Sequence, residues 1–354
     1  MTHTPDRLHI DVAGDTARTR GLQRGEALRD TLGEALVAYE RLFRAAGVSE
    51  EAQRAGAEQV LDNIEAWRPA FVEELAGVAS GSGLSIEAVA ALNARTEILA
   101  LGRKGAAECS TVTALIDGRR IGAQTWDWHV ELDPYWHTQR VSGAKFAFAG
   151  LTEQGILSKI GVNSAGLALH FNILGHAGDG TSGIPMHVLS AAVLSECATV
   201  AEAIELVREA PIGSSSSFTM LDADRAVSLE ISPVGVYELA ERDGSVQRMN
   251  HFLSAEPLSE QKSELYEPDS SERLSLVRSR LAHGLPDSEE SLIRLLESAE
   301  GEAPLTCRPD MALPYGEHWA TLATIVTDPE ARAIRILDGM PPEAETGTWR
   351  ELEV

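Results

Sequence analysis

Cysteine is scarce in this sequence. The 354 residues include three cysteines, Cys109, Cys197 and Cys307, which are far apart and odd in number. Such a distribution excludes the disulfide framework that stabilises many small secreted domains. We therefore expect a reducing compartment and a fold held by its apolar core, for which 44% hydrophobic residues provide ample material.

Basic residues are few relative to acidic ones. The chain has 30 Lys and Arg against 54 Asp and Glu, a formal net charge of −24 at pH 7. Nucleic acids and anionic membrane surfaces would repel a protein of this charge, so we expect neither as a partner. The acidity most often indicates a solvated surface and is not evidence for a cationic substrate.

Long apolar runs are also missing. No run approaches the length of about 18 apolar residues that a transmembrane helix needs. The first residues, MTHTPDRLHIDVAG, contain no apolar signal core. From these absences we expect a soluble, cytoplasmic protein.

Two common kinds of site lack their motifs. The serines at 214–217 come without the glycines and the lysine of a phosphate-binding P-loop. His129, Glu131, Asp133 and His137 have a spacing that fits no zinc arrangement, so a solvated loop is the favoured interpretation. We expect no metal site.

The secondary-structure pattern changes once, between residues 108 and 109. Before this point, Leu32, Leu36, Tyr39 and Phe43 recur on one helical face. Typical helix starts follow at Ser49, Pro69 and Ser85, the last beginning a helix predicted to reach Leu101. Residues 1–108 are therefore predicted to be a helical segment, and residues 109–354 a β-rich core, within one structural domain.

The core is predicted to contain strands, helices and one mobile glycine-rich loop at 175–183. Beyond the first hairpin, strands are predicted at 145–151, 156–162, 167–172, 217–221, 226–231, 234–239, 246–253, 319–327 and 332–337, and helices at 185–197, 199–209, 273–282 and 288–299. A short strand is also predicted near residues 8–12.

The first hairpin of the core begins at Cys109. The following residues favour a strand, and Asp117-Gly118 is a typical hairpin turn. If Ile116 pairs with Arg119, Cys109 pairs with Trp126. One bulge would instead place Asp127 opposite Cys109. Both registers bring a thiol and a carboxylate to the same end of one hairpin.

The position of Cys109 suggests a chemistry. A thiol there can attack the carbonyl of Glu108, and hydrolysis of the resulting thioester would leave Cys109 as a new N-terminus. Its α-amino group, with a pKa of roughly 7.7–8.0, would then serve as the base for its own thiol. The residues alone leave a second interpretation open, in which Cys109 is a small buried core residue.

Motifs on both sides of this boundary carry a family resemblance. In order they are LHIDVAG, ALNARTEIL, ECSTVTAL, IGAQTWDW, KIGVNSAGLALHFNIL, GIPMHVL, FTMLDADRAVSLEISP, RMNHFL and WATLATIVTDP. Together they resemble the acyl-CoA:6-aminopenicillanate (isopenicillin N) acyltransferase family of self-processing N-terminal nucleophile (Ntn) hydrolases. In that family a precursor cuts itself immediately before a cysteine.

The resemblance implies a fold, a processing event and an activity. The fold class is α+β, a four-layer αββα Ntn-hydrolase sandwich, which agrees with the succession of helices, strands, helices and strands. Self-cleavage between Glu108 and Cys109 would leave residues 1–108 as a small subunit and 109–354 as a large one, which stay associated. The implied activity is cleavage or transfer of an acyl group from an amide or thioester through a Cys109 acyl-enzyme.

The resemblance also implies roles for two partners of Cys109. Asp127 lies 18 positions later (127 − 109 = 18) and would hold the freed α-amino group or orient the thiol. Asn250, in RMNHFL, matches the family's oxyanion-hole asparagine, a kind of donor worth about 10²–10³ in rate.

Four further residues are candidates for substrate binding: Asn172, His318, Trp126 and Trp128. His318 stands where the fungal penicillin enzymes have an arginine, and it fits a surface turn equally well. For the two tryptophans, core packing is the simpler alternative to an acyl pocket. Glu108 is a second departure, since those enzymes have glycine there.

Several alternatives stay open at this level. Water as acceptor would make the protein an amidohydrolase, and an amine would make it an acyltransferase. We expect a small-molecule substrate and no bound cofactor, with acyl-CoA a candidate acyl donor. The contrasting hypothesis is a non-catalytic binding protein on the same scaffold, with an uncut Cys109.

Overall fold

The computed structural model describes residues 7–102, 109–262 and 269–354. The first described stretch is helical after one short strand, as predicted. Its elements are β1 His9–Ala13, α1 Ala17–Ala27, α2 Leu32–Ala45, α3 Glu50–Trp67, α4 Pro69–Ser82, α5 Ile86–Asn93 and α6 Arg95–Ala100.

The remaining stretches combine strands with shorter helices. The strands are β2 Ser110–Ile116, β3 Arg119–His129, β4 Trp136–Ser142, β5 Phe148–Glu153, β6 Ile160–Asn163, β7 Ala168–Ile173, β8 Ser216–Leu221, β9 Ala226–Ser232, β10 Gly235–Ala240, β11 Gln247–Arg248, β12 Trp319–Asp328, β13 Ala333–Asp338 and β14 Trp349–Glu353. The α-helices are α7 Met186–Glu196, α8 Val200–Glu209, α9 Ala255–Leu258, α10 Ser270–Leu281 and α11 Glu289–Arg294, and Val130–Tyr135 and Pro341–Glu343 are 3-10 helices.

The predicted helix starts are confirmed by their capping hydrogen bonds. The side chains of Ser49, Ser85 and Thr199 each accept a hydrogen bond from the backbone N–H three residues later. This satisfies a donor that has no partner within the helix. Pro69 occupies the first position of α4, and the helix ends at Gly83 with φ 81°, a conformation that glycine adopts without strain.

The helix predicted from Ser85 to Leu101 is divided in two. Helix α5 ends at Asn93, and α6 starts at Arg95. The Asn93 side chain donates to the carbonyl of Gly155 and accepts from the N–H of Leu157. These contacts with a distant loop interrupt the helix at Asn93. Local periodicity does not predict such a tertiary effect.

The described strands form two sheets, whose packing produces four layers. One sheet has the order β1-β4-β5-β6-β7-β8-β9-β10 and the other β11-β2-β3-β12-β13-β14. The sheets face each other, with β2 against β7 and β3 against β8. Helices α7 and α8 cover the outer face of the first sheet, and α10 and α11 that of the second. The predicted α+β, αββα sandwich is confirmed.

The hairpin that begins the core has the predicted register. Ile116 pairs with Arg119 and Ser110 with Thr125, which places Cys109 opposite Trp126. Asp117 and Gly118 have positive φ, as a two-residue hairpin turn requires. The alternative with a bulge between β2 and β3 is wrong, because the irregularity of this sheet lies between β3 and β12.

Several predicted elements differ from the observed ones. The strand predicted at 246–253 is reduced to β11, because the chain turns away to form a loop around Asn250. The helix predicted at 288–299 is limited to α11. Strands β4 and β14 were not predicted; β4 pairs with β5 and with the distant β1, and β14 pairs with the preceding strand β13. The glycine-rich loop 175–183 is tied down where Asn63 donates to the carbonyls of Thr181 and Gly183.

Helices α1 and α4 are packed through glycine. A Cβ atom added at Gly21 or Gly25 of α1 would overlap the backbone of α4, and one added at Gly77 or Gly81 would overlap that of α1. The two helices can approach this closely only because these positions lack side chains.

No single helix in the described ranges is both long and apolar enough to cross a membrane. Helices α4 and α5 pass the length and composition criteria only as a pair, and the pair is bent by 118°.

Candidate active site

Cys109 lies at the start of β2, at one end of the space between the two sheets. Its side chain is buried, and its Sγ lies 3.9 Å from the backbone oxygen of Asp127. Thr111, two residues later on the same strand face, donates to Asn172 on β7 of the opposite sheet. The thiol therefore faces the inter-sheet space. The predicted cleavage partner Glu108 lies outside the described residues.

The backbone nitrogen of Cys109 is held by a side chain from a distant loop. Its N–H donates to Oδ1 of Asn250 at 2.9 Å. The loop itself is fixed because the N–H of Asn250 donates to Oγ of Ser270, the first residue of α10. The nitrogen that self-cleavage would release is thus already positioned in the described chain.

The carbonyl of Cys109 is held by two donors. Nδ2 of Asn172 donates to it at 2.8 Å, and Nη1 of Arg273 at 3.3 Å. Asn172 therefore lies in the cluster, as its position at a strand end predicted, but its described contacts position the Cys109 backbone. They provide no evidence for the predicted substrate-binding role.

Arg273 is a residue of this cluster that the sequence interpretation missed. Its guanidinium is buried and also donates to Oγ of Ser110 at 3.1 Å and to Oδ1 of Asn250 at 3.0 Å. It pairs with Asp269 at 2.8 Å. Helical spacing could have indicated its burial, because Arg273 lies four positions before the buried Val277 and therefore on the inward face of the same helix.

The amide orientation of Asn250 does not fit the predicted oxyanion role. Oδ1 accepts from two donors, the Cys109 N–H and Arg273, so an oxygen must stand at that position. The amino group points the other way and donates to the carbonyl of Ile173 at 2.9 Å. In the described chain Asn250 faces the nitrogen of Cys109 with an acceptor, and its oxyanion role stays a prediction.

Asp127 lies on β3 beside Cys109 and is fully buried. Burial, and next the carboxylate of Asp127, raise the pKa of the Cys109 thiol to about 11. Lys159 and Arg273 act in the opposite direction. The thiol is therefore protonated at neutral pH, and a nucleophilic role would require a base that removes this proton.

The two tryptophans beside Asp127 are packed in the core. Trp126 and Trp136 make an edge-to-face contact with centroids 6.0 Å apart, and Trp128 meets Trp319 similarly at 5.7 Å. Nε1 of Trp128 donates to the hydroxyl of Tyr39. These contacts fit the core-packing alternative and give no support to an acyl pocket lined by the two rings.

His318 lies near the same end of the sandwich but has its own partners. Nδ1 is 2.6 Å from Oε1 of Glu131 and Nε2 is 2.6 Å from the carbonyl of Leu313. Both partners are acceptors, so the imidazolium form satisfies both. The hydrogen bond to Leu313, and then Glu131, raise the pKa of His318. Its predicted role toward a substrate carboxylate is not supported, because both nitrogens are engaged.

The two histidines that bound the segment from His129 to His137 are not solvated, although Pro134 between them is exposed. Both imidazoles are buried, and burial lowers the pKa of each to about 3. The predicted solvated loop is wrong, because the intervening residues form a 3-10 helix that leads into β4. Within the described ranges no group of three or more His, Cys, Asp or Glu side chains is placed to hold a metal ion.

A buried ionic cluster lies across the inter-sheet space from Cys109. Glu153 accepts from Arg95 at 2.7 Å and from Lys159 at 2.9 Å. Burial alone would raise the pKa of Glu153, but the two cations hold it below its ordinary value. Tyr39 also donates to Glu153. The sequence analysis did not single out these charges.

Comparison with known sequences places this site in context. The family model for acyl-coenzyme A:6-aminopenicillanic acid acyl-transferase matches residues 116–342. The chain is also similar to the 40 kDa form of acyl-coenzyme A:6-aminopenicillanic-acid-acyltransferase of Emericella nidulans. Identity is 28% over 352 residues, which cover 94% of this chain and 93% of the relative.

Solved structures give weaker likenesses. The penicillin V acylase of Agrobacterium tumefaciens is 15% identical with a TM-score of 0.42, over 70% of this chain and 86% of that one. The R18L variant of conjugated bile acid hydrolase from Clostridium perfringens is 12% identical with a TM-score of 0.48, over 69% of this chain and 92% of that one.

Proposed function

This chain belongs to the acyl-coenzyme A:6-aminopenicillanic acid acyl-transferase family, and we propose that it is a self-processing enzyme of the Ntn-hydrolase type with Cys109 as nucleophile. It would cut itself between Glu108 and Cys109. The new enzyme would then cleave or transfer an acyl group from an amide or thioester. Hydrolysis and transfer differ only in whether water or an amine accepts the acyl group.

One observation carries this proposal. The nitrogen of Cys109, which becomes an α-amine only if the preceding bond is cut, is held 2.9 Å from an acceptor oxygen of Asn250. Any buried backbone N–H needs an acceptor, but here the acceptor is a side-chain oxygen from a distant loop that also accepts from a buried arginine, and not a sheet partner. The arrangement suits a nitrogen that must remain in place when it becomes a free amine.

The processing step balances as an N-to-S acyl shift followed by hydrolysis. The Cys109 sulfur attacks the Glu108 carbonyl carbon, and the C–N bond breaks to give a thioester and a free α-amine that has taken the thiol proton. Water then attacks the thioester. Its hydroxyl becomes part of the new Glu108 carboxyl, and its proton returns to the sulfur.

Catalysis would reuse the same atoms. Because burial and Asp127 keep the thiol protonated, the released α-amine, with a pKa near 8, takes its proton as the sulfur attacks the acyl carbonyl. The ammonium then protonates the leaving amine or thiolate. Asn250 would keep the amine aligned, and Asp127 would stabilise the ammonium that forms.

The two fragments are expected to stay together because buried contacts join them. Arg95 and Tyr39 of the first fragment both bind Glu153 of the second. Glu97 accepts from the N–H of Met186 and from Ser214. Separation would leave these charges without partners in an apolar interior, which is strongly unfavourable.

Acyl-CoA is a candidate donor on the basis of the similar Emericella protein, whose name includes it. It would act as a substrate, and no bound cofactor is needed for the steps above. An ordinary amide is the alternative donor, and the partner is in both cases a small molecule.

A mass spectrum of the purified protein tests the proposal. The 38.0 kDa chain should appear as fragments of about 12 and about 26 kDa, the larger beginning with Cys109. Cys109→Ala should remain uncut and inactive, and Cys109→Ser should cut slowly, because a hydroxyl is the poorer nucleophile. Cys197→Ala, at another buried cysteine, is the matched control and should behave as wild type.

Two outcomes would count against this mechanism. An intact wild-type chain with full hydrolase activity would refute the use of an N-terminal amine. An intact chain with no activity on amides or thioesters would favour the binding-protein hypothesis.

A further inference from the structure

Lys159 is a buried cation that the steps above do not use. It lies just before β6, and its side chain is about 2% exposed. Its Nζ is 2.9 Å from Glu153 and 4.2 Å from the centre of the Trp126 ring. A buried ammonium is costly unless it is paired, so a role beyond packing is worth seeking.

The register of the hairpin brings this cation toward the nucleophile. Cys109 and Trp126 are directly opposite on neighbouring strands, where Cβ atoms are about 4.5–5.5 Å apart. Both side chains point into the inter-sheet space, and Lys159 reaches over the Trp126 ring from the opposite sheet. Lys159 and Cys109 thus share one buried compartment.

The charge balance of this compartment favours an anion beside Lys159. Glu153 is shared by two cations, since Arg95 takes the same carboxylate oxygen at 2.7 Å. Burial lowers the pKa of His187 and raises that of Tyr39, so neither adds a compensating charge at neutral pH. Lys159 therefore shares its direct counterion with Arg95, and its charge acts on the Cys109 sulfur in the direction opposite to that of Asp127.

We propose that Lys159 is a positioning residue whose charge stabilises the thiolate of Cys109 as it forms, in both self-cleavage and acyl transfer. The inference rests on the proposed role of Cys109. It assigns to Lys159 an electrostatic function that a neutral side chain of equal length would lack, and that an arginine would retain.

The titration of Lys159 supports the same arrangement. Burial lowers the pKa of Lys159 to about 8, although Glu153 and also Cys109 act to raise it. The cation is thus mostly present at pH 7 and mostly lost above pH 9. The groups facing this compartment from the packed elements are Tyr39 of α2, Arg95 and Glu97 of α6, Cys109, Asp127 and His129 of the β2–β3 hairpin, Glu153 of β5, His187 of α7 and Arg273 of α10.

The test is the rate at which iodoacetamide alkylates Cys109, measured between pH 6.5 and 9.5 by peptide mass spectrometry, which separates Cys109 from the other cysteines. Lys159→Met should react about tenfold more slowly than wild type at pH 7, equivalent to one unit of thiol pKa. The wild-type advantage should vanish above pH 9 as Lys159 loses its proton. Lys159→Arg should keep its advantage over Lys159→Met throughout.

Ratios between variants are needed because the released α-amine titrates in the same range, and its contribution cancels in a ratio. Arg95→Met is the matched control, since it removes the other cation of Glu153, which lies over Trp128 instead of Trp126. Its alkylation rate should fall less than threefold. If Lys159→Met unfolds, the double variant Glu153→Gln/Lys159→Met, which leaves the net charge unchanged, should show the same slow alkylation.

Equal rates for wild type and Lys159→Met, or an equal loss in Arg95→Met, would overturn the proposal. The measurement needs neither substrate nor turnover, so it is separable from the function. A cut, active enzyme without the rate difference would contradict only the role of Lys159. An uncut, inactive chain that retains the difference would contradict only the proposed function.

Discussion

The backbone nitrogen of Cys109 and Oδ1 of Asn250 lie 2.9 Å apart, and the same oxygen accepts from Arg273 at 3.0 Å. Asn250 therefore presents an acceptor to the nitrogen of Cys109, whereas an oxyanion hole requires a donor. The sequence motif RMNHFL is compatible with either role of Asn250, acceptor for the Cys109 nitrogen or donor to an oxyanion. Variants of Asn250 distinguish the two.

Asn250→Asp should retain self-cleavage and part of the turnover, because it keeps the acceptor oxygen, at the cost of an oxygen that repels the Ile173 carbonyl. Asn250→Leu, which lacks both, should lose about 10²-fold or more, as expected for a misplaced reacting group. Fragment masses and initial rates on any accepted amide would measure this. A loss of about 10²–10³ in Asn250→Asp, with unchanged thermal stability, would restore the oxyanion role.

Asp127→Asn should give a folded protein with greatly reduced turnover but a more reactive thiol. Asp127 raises the pKa of Cys109, so its removal should lower that pKa and speed alkylation by iodoacetamide at neutral pH. Turnover should nevertheless fall, because the ammonium of the mechanism loses its carboxylate. Wild-type turnover by this variant would remove Asp127 from the mechanism.

His318 should stabilise the fold more at low pH than at high pH. Its pKa is raised in the folded protein, so its contribution is complete below the unfolded value of about 6.5 and is lost as pH rises through the folded value. The melting temperature of wild type minus that of His318→Gln, followed from pH 5.5 to 9, should shrink with pH. In a Glu131→Gln background, the melting-temperature difference caused by His318→Gln should be smaller than in wild type. A difference that does not change with pH would contradict the ion pair.

Acylation of 6-aminopenicillanate from an acyl-CoA should not be the main activity. The motivation is His318, which replaces the arginine of the fungal enzymes and has both nitrogens engaged. Histidine cannot grip a carboxylate with the two parallel hydrogen bonds of a guanidinium. Rates for this reaction above those for simple amides would refute the prediction, and His318→Arg should be examined for a gain.

Gly77→Ala should destabilise the helical segment by about 1–3 kcal/mol or more, since the new methyl group would overlap the backbone of α1. Gly33→Ala is the matched control in α2, where an added Cβ meets nothing within 4 Å. That variant should be neutral or gain up to about 1 kcal/mol from helix propensity. Urea unfolding in the Cys109→Ala background, which should remain one chain, provides the measurement.

The sequence by itself determined the layer order and the hairpin that presents Cys109. Helical spacing at Leu32 and Phe43, caps at Ser49 and Ser85, and the Asp117-Gly118 turn are local features, and each depends on residues only a few positions apart. Register follows from the turn, so the placement of Cys109 opposite Trp126 was accessible as well.

Only the tertiary structure decided what surrounds the sulfur and the nitrogen of Cys109. Arg273 and Lys159 are 164 and 50 residues from Cys109 in the sequence (273 − 109, 159 − 109). Both side chains are buried, which their charge alone would not predict. The orientation of the Asn250 amide depends on donors from two such elements together. Local patterns determine which strand carries Cys109. The electric field that acts on its thiol is set by charges that only folding brings together, because electrostatic interactions depend on distance and burial in space.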